Sequence, residues 1–158
     1  MIRLALVVLA LIASNARADE FDEGFEAFKR QDYVSAVRIY RPLAERGHLA
    51  AQSNLGLMYR LGMGVPQDYS EAIKWLRLAS VGRQSAAQYY LGAMYAQGEG
   101  VAQDYVKAHM WLNTSAARGL QAAGKERDIV ASKMTRQQIA EAQKLARECQ
   151  ARNFNNCD

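Results

Sequence analysis

The chain is poor in the residues from which catalytic and metal sites are usually built. It has two cysteines, Cys149 and Cys157, both at the C-terminal end, and two histidines, His48 and His109, in different parts of the chain. Neither cysteine has a histidine near it in sequence, which argues against a catalytic thiol. The histidines have no Ser/Asp partner or metal-ligand spacing. No catalytic residue, metal or cofactor is therefore expected. Lys/Arg runs of the length that nucleic-acid patches need are also missing, so no nucleic-acid partner is expected. Arg38, Arg41 and Arg46 share a helical stretch with Glu45 and read as a solvated face. The acidic residues Asp19, Glu20, Asp22, Glu23 and Glu26 suit the first turns of a helix, where negative charge is favourable.

The only long apolar run is Leu4 to Ala13, ten residues, against the roughly 20 that a membrane-spanning helix needs. With Arg3 before it and the small-residue pattern Ala16-Arg17-Ala18 after it, residues 1–18 read as a secretory signal cleaved before Asp19. No cysteine follows the run, which argues against a lipid anchor. Cleavage would remove Arg3 and Arg17, lowering the formal charge from +4 to +2, so charge identifies no partner. The mature chain, 19–158, is expected to be periplasmic or secreted, without a membrane association, and to fold as one domain. In an oxidising compartment Cys149 and Cys157 suit a disulfide that staples the C-terminus, with the Asn-rich tail turning back. Intermolecular pairing and two free thiols are the alternatives.

What the chain does contain is a phrase that returns every thirty-six residues. Gln31-Asp32-Tyr33 recurs as Gln67-Asp68-Tyr69 and Gln103-Asp104-Tyr105, followed at equal spacing by Ala36, Ala72 and Ala108, then Ile39, Trp75 and Trp111. Upstream, Ala51-Gln52, Leu55-Gly56 and Met58-Tyr59 match Ala87-Gln88, Leu91-Gly92 and Met94-Tyr95. A period in the thirties predicts stacked helix pairs, each burying its apolar face against the next. In the first helix of a pair, Ala51, Leu55, Met58 and Tyr59 share one face. Gly56 and Gly92 recur where a partner helix must approach closely. Gly62-Met63-Gly64-Val65 and Gly98-Glu99-Gly100-Val101 end the first helices. With no preceding strand and no following Lys-Ser/Thr, these loops lack the mechanism of a phosphate loop.

Asp32, Asp68 and Asp104 fit as N-caps of the second helices, with Glu71 completing a capping box on Asp68. Trp75 and Trp111, with Tyr33, Tyr59, Tyr69, Tyr95 and Tyr105, read as core anchors. Phe21, Phe25 and Phe28 give the first helix an apolar spacing. His48 reads as structural and His109 as an exposed helix residue. Pro42, late in a helix, has no evident role. Beyond Gly119 the register persists through Ala122 and Ala123 and is then lost. Thr135-Arg136-Gln137-Gln138 reads as a capping box opening a closing helix, whose apolar stripe is Ile139, Ala142, Leu145, Ala146 and Cys149.

The run Ala51-Gln52-Ser53-Asn54-Leu55-Gly56 with Met58-Tyr59, Gly62-Met63-Gly64-Val65 and Asp68-Tyr69, and its copy from Ala87 to Leu112, resembles the Sel-one-like repeat (SLR) of the tetratricopeptide-like superfamily. The resemblance is strong over residues 47–118, fair over 20–46 and partial from 119. It implies an all-α fold, a right-handed α-α superhelix (solenoid) of helix-turn-helix repeats with a C-terminal capping helix. The expected units are a tetratricopeptide-like pair at 19–46, repeats at 47–82 and 83–118, and a partial repeat plus capping helix at 119–158. The family motif is architectural and brings no catalytic residues with it.

By analogy with related superhelices, Ser53, Leu57, Arg60, Tyr89, Ala93 and Ala96 face a concave groove. Arg60 and Tyr89 are its chemically useful members, since arginine and tyrosine are favoured interface anchors. The resulting expectation is an exported scaffold or adaptor of the cell envelope that binds a protein or peptide there, as a monomer or weak dimer. Two other readings stand beside it. One is an envelope enzyme or β-lactam-binding protein akin to cysteine-rich relatives, which carry cysteine pairs inside the repeats where this chain has none. The other is a regulator or inhibitor of an envelope enzyme.

Overall fold

The recurring Gln-Asp-Tyr phrase is the joint of each helix pair. In the computed structural model, which describes residues 20–157, Gln67 Nε2 donates to the Arg60 carbonyl and Gln103 Nε2 to the Ala96 carbonyl, both at 2.8 Å. Each glutamine satisfies a carbonyl left open at the end of a first helix. The adjoining Asp68 and Asp104 then cap the second helices, accepting backbone N–H groups at 2.9–3.0 Å. Asp32 does the same in the first unit, through Ser35 N–H at 3.2 Å. Hydrogen bonding from Ser35, first by its side chain and then by this backbone N–H, holds the Asp32 carboxyl below its ordinary pKa.

The helices are α1 (20–29), α2 (Tyr33–Glu45), α3 (Leu49–Leu61), α4 (Tyr69–Val81), α5 (Ser85–Gln97), α6 (Tyr105–Ala116), α7 (Gln121–Ala131) and α8 (Arg136–Ala151). No strand occurs among the described residues. Neighbours in sequence from α2 to α7 pack against each other, and α8 packs on α6. The molecule is an all-α solenoid of paired helices closed by a terminal helix. The proposed signal segment, 1–18, lies outside the described residues. None of the described helices is long and apolar enough to cross a membrane.

The glycines do what their recurrence demands. Gly62 and Gly98 end α3 and α5 at φ +68° and +73°, a left-handed conformation that glycine takes without penalty. Gly56 and Gly92 lie under the partner helix: a Cβ on either would sit 2.7 Å from Cγ of Leu76 or Leu112. The repeated core is continuous, with Leu55, Met58, Leu76, Leu91, Met94 and Leu112 fully covered and Trp75 and Trp111 buried. Tyr59 and Tyr95 are buried, whereas Tyr33, Tyr69 and Tyr105 are only half-buried against the core.

Several local expectations need correction. Glu71 forms no capping box with Asp68; its carboxylate instead accepts from Trp75 Nε1 at 3.0 Å and pairs with Lys74 at 2.9 Å. A buried indole N–H needs an acceptor, and Glu71 supplies it one helical turn away. Phe25 is exposed, with Lys29 lying over its ring. Phe21 and Phe28 do pack against the core, beside buried Gly24 and Ala27. His109 is buried in α6. The thirty-six-residue register sets it opposite Ile73, an apolar site of the preceding unit. His48 does have a structural role: its Nδ1 accepts from Ala51 N–H at 3.2 Å as the N-cap of α3, and its ring stacks on Phe21. Pro42 leaves α2 unbroken through Glu45.

At the C-terminal end, Thr135 and Gln138 exchange both bonds of the capping box that opens α8. Ala142, Ala146 and Cys149 are buried along its stripe. Cys149 and Cys157 form a disulfide, with their Cα atoms 5.1 Å apart.

Candidate functional site

The first helices of successive units, α3, α5 and α7, touch one another in order, whereas α4 and α6 are not in comparable contact. These contacts set α3, α5 and α7 side by side, and the face they share is here called the inner wall. Of the six residues expected there, Leu57, Arg60, Tyr89 and Ala96 are partly accessible. Ser53 and Ala93 are not: they are 1% and 4% exposed. Their side chains are too short to reach past the neighbouring helices, so neither can touch a partner.

Arg60, near the end of α3, reaches one unit along the solenoid. Its Nε lies 2.6 Å from Glu99 Oε2 in the loop after α5, and its Nη2 donates to Gln97 Oε1 at 3.4 Å. The pair is largely covered, with side chains 11% and 20% exposed. Arg60 is thus already committed to a carboxylate, and the inner wall does not offer it as a free cation. Its planar guanidinium still has edges beyond the bonded Nε, so it can stack or donate further.

Tyr89 and Tyr90 lie edge to face, ring centroids 5.4 Å apart. Tyr90, which the sequence reading passed over, belongs to the same surface. Burial, reinforced by Tyr89, raises its hydroxyl pKa, and only Arg60 opposes the shift. It therefore stays a neutral donor and acceptor at ordinary pH. The available signal was its register, since Tyr90 replaces Asn54 at a position off the core stripe. Ile129 on α7 was also missed. α7 starts thirty-six residues after α5, so the helix keeps the repeat spacing although the residue matches stop at Ala123, and Ile129, at the place of Leu57 and Ala93, is 53% exposed. The inner wall thus combines a tyrosine pair, an internally paired arginine and scattered apolar side chains.

Among the described residues no cluster of three or more His, Cys, Asp or Glu side chains can hold a metal. His109 lies in α6, with Arg127 and Asp128 of α7 as its charged neighbours. Burial, then Arg127, pushes its pKa down, while Asp128 opposes.

This geometry defines the class, an α-α repeat solenoid. The chain belongs to the Sel1 repeat family, whose model matches residues 16–48, 49–80 and 85–120. Sel1-repeat solenoids typically mediate protein–protein interactions. The chain is similar to the crystal structure of c5321, a protective antigen present in uropathogenic Escherichia coli strains displaying an SLR fold. That likeness has a TM-score of 0.78 and 32% identity over 87% of this chain. It is also similar to a Sel1 repeat protein from Oxalobacter formigenes, with a TM-score of 0.64 and 28% identity, again over 87% of this chain. The chain spans 31% and 60% of the lengths of those two proteins. No curated protein matches it.

Proposed function

We propose that this protein is an exported scaffold or adaptor of the cell envelope, periplasmic or secreted, that binds a protein or peptide along the inner wall. The observation that carries the reading is the Tyr89–Tyr90 pair beside the anchored Arg60, on the face where α3, α5 and α7 meet. Tyrosine offers a large amphipathic contact area at small conformational cost, and an arginine already held in place loses little further freedom on binding. Leu57, Ala96 and Ile129 supply apolar contact around them. The protein acts as a monomer or weak dimer.

The test is capture of partners from envelope extract by cross-linking, comparing the wild type with an Arg60→Ala/Tyr89→Ala double variant of matched helicity. A partner held by the first and lost by the second supports the inner wall. Equal capture by both removes these residues from the interface.

A further inference from the structure

The last six described residues adopt a conformation that their composition does not favour. Asn153, Phe154 and Asn156 all have positive φ, at +51°, +62° and +50°. Asparagine tolerates this region, but a bulky aromatic residue rarely does. Residues held in such conformations persist only where their surroundings over-determine them, and they cluster at switches and ligand clamps.

Three constraints hold Phe154 in place. The Cys149–Cys157 bond closes the segment into a loop on the end of α8. Arg83, in the turn before α5, donates to Asn153 Oδ1 at 2.9 Å. The Arg118 guanidinium lies 5.2 Å from the centre of the Phe154 ring. The ring itself is 3% exposed although it sits almost at the chain end. It forms a wall of two cavities at once. One, about 370 Å³, lies against Thr114, Ala146 and Arg147. The other, about 650 Å³, lies against Leu78, Val81 and Trp111. The side chain is a wedge between them.

We propose that the C-terminal disulfide is a redox latch, holding Phe154 as a wedge that a dithiol reductant releases. The two sulfurs are unequal. Cys149 is fully buried, whereas Cys157 is partly accessible. A thiolate of the reductant attacks Cys157 Sγ, breaking the S–S bond and forming a mixed disulfide, and Cys149 departs and takes up a proton. The second thiol of the reductant, as its thiolate, then displaces Cys157, which is protonated in turn. The protein gains two electrons and two protons, and the dithiol becomes a cyclic disulfide.

With the loop open, Phe154 no longer has to occupy left-handed backbone, and it swings out. The two cavities become one slot along α4, α6 and α8, with an apolar wall at Leu78 and Val81. Arg118 loses the ring it covers. Phe154 lies at the C-terminal edge of the core cluster, and the helix-on-helix packing from α2 to α7 does not depend on it, so the helices of the solenoid persist.

Treating the full-length protein with dithiothreitol tests this, with far-UV circular dichroism, thiol alkylation read by mass spectrometry, and the fluorescence of an apolar-surface dye followed together. The expected result is unchanged helicity, alkylation of Cys157 well ahead of Cys149, and a several-fold rise in dye emission. Oxidised Phe154→Ala should show the same rise with no reductant. Wild-type dye emission that stays flat on reduction, or oxidised Phe154→Ala that emits no more than oxidised wild type, would overturn the latch. So would loss of helicity together with the bond, since the disulfide would then be a staple of the fold.

Discussion

Arg60 and Glu99, thirty-nine residues apart, join α3 to the loop that ends α5 through a 2.6 Å contact. The separation is one repeat plus three residues, so the pair runs along the axis of the solenoid and ties consecutive units together on the inner wall. A hydrogen bond to a charged group contributes about 1.5–3 kcal/mol in such a covered setting. The same arginine is the centre of the proposed interface, so stability and recognition are linked at one side chain.

That linkage gives the first prediction. Arg60→Ala and Glu99→Ala should each lower stability by about 1–3 kcal/mol. The double variant should lose less than their sum, with a coupling of about 0.5–3 kcal/mol. Urea unfolding of the four proteins checks this, and strict additivity would mean that the pair contributes nothing.

Gly64 and Gly47 form a matched test of loop packing. Both have positive φ, at +71° and +85°. A Cβ on Gly64 would lie 2.4 Å from the Tyr33 backbone carbonyl, whereas nothing lies within 4 Å of one on Gly47. Gly64→Ala should cost about 2–4 kcal/mol, the left-handed penalty plus a clash that backbone cannot relieve. Gly47→Ala should cost only about 1–2 kcal/mol. Thermal unfolding of both variants decides it, and equal losses would show that the loop does not dock on the preceding unit.

Gly56→Ala sets two effects against each other. Alanine gains about 1 kcal/mol of helix propensity over glycine. The added methyl would sit 2.7 Å from Leu76 Cγ and 3.2 Å from the Ala72 carbonyl oxygen. Overpacking of that kind costs about 1–3 kcal/mol. Packing should win, and the variant should unfold at lower denaturant than wild type. An increase in stability would mean that the helices have room to separate.

His109 predicts an acid sensitivity. Its folded pKa lies below the ordinary 6.5, so the unfolded chain takes up a proton at higher pH than the folded one does. The stability of the neutral buried form is complete above 6.5. It is lost as pH falls from there toward the folded pKa, at up to about 1.4 kcal/mol per pH unit. His109→Ile, which copies Ile73 of the preceding repeat, should remove this part of the pH dependence. Unfolding at pH 7.5 and 5.0 compares them; identical slopes in the two proteins would contradict the assignment.

Which features were legible in the sequence follows from whether their causes repeat. Gly56 and Gly92, Asp68 and Asp104, Trp75 and Trp111 recur because each unit meets the same steric and capping demands, and the structure places all of them accordingly. The Arg60–Glu99 pair was hidden because neither partner recurs. Ala96 stands at the register of Arg60, and Met63 at that of Glu99. An acid that appears in a glycine loop where the previous copy has methionine was the available clue. Ser53 and Ala93 failed for another reason: helical spacing tells which way a side chain points, but not how near the next helix comes. His109 was misread from its polarity when its register with Ile73 marked it as interior. Glu71 was misread because the capping-box spacing also puts its carboxylate one turn from Trp75.

The central claim is that the inner wall, and not the outer one, meets the partner. A photo-crosslinking amino acid placed at Tyr89 on α5, and separately at exposed Leu78 on the outer helix α4, tests it in the intact envelope. The account predicts a discrete protein adduct from position 89 and none from position 78. An adduct from position 78 with position 89 silent would contradict it and place recognition on the opposite face.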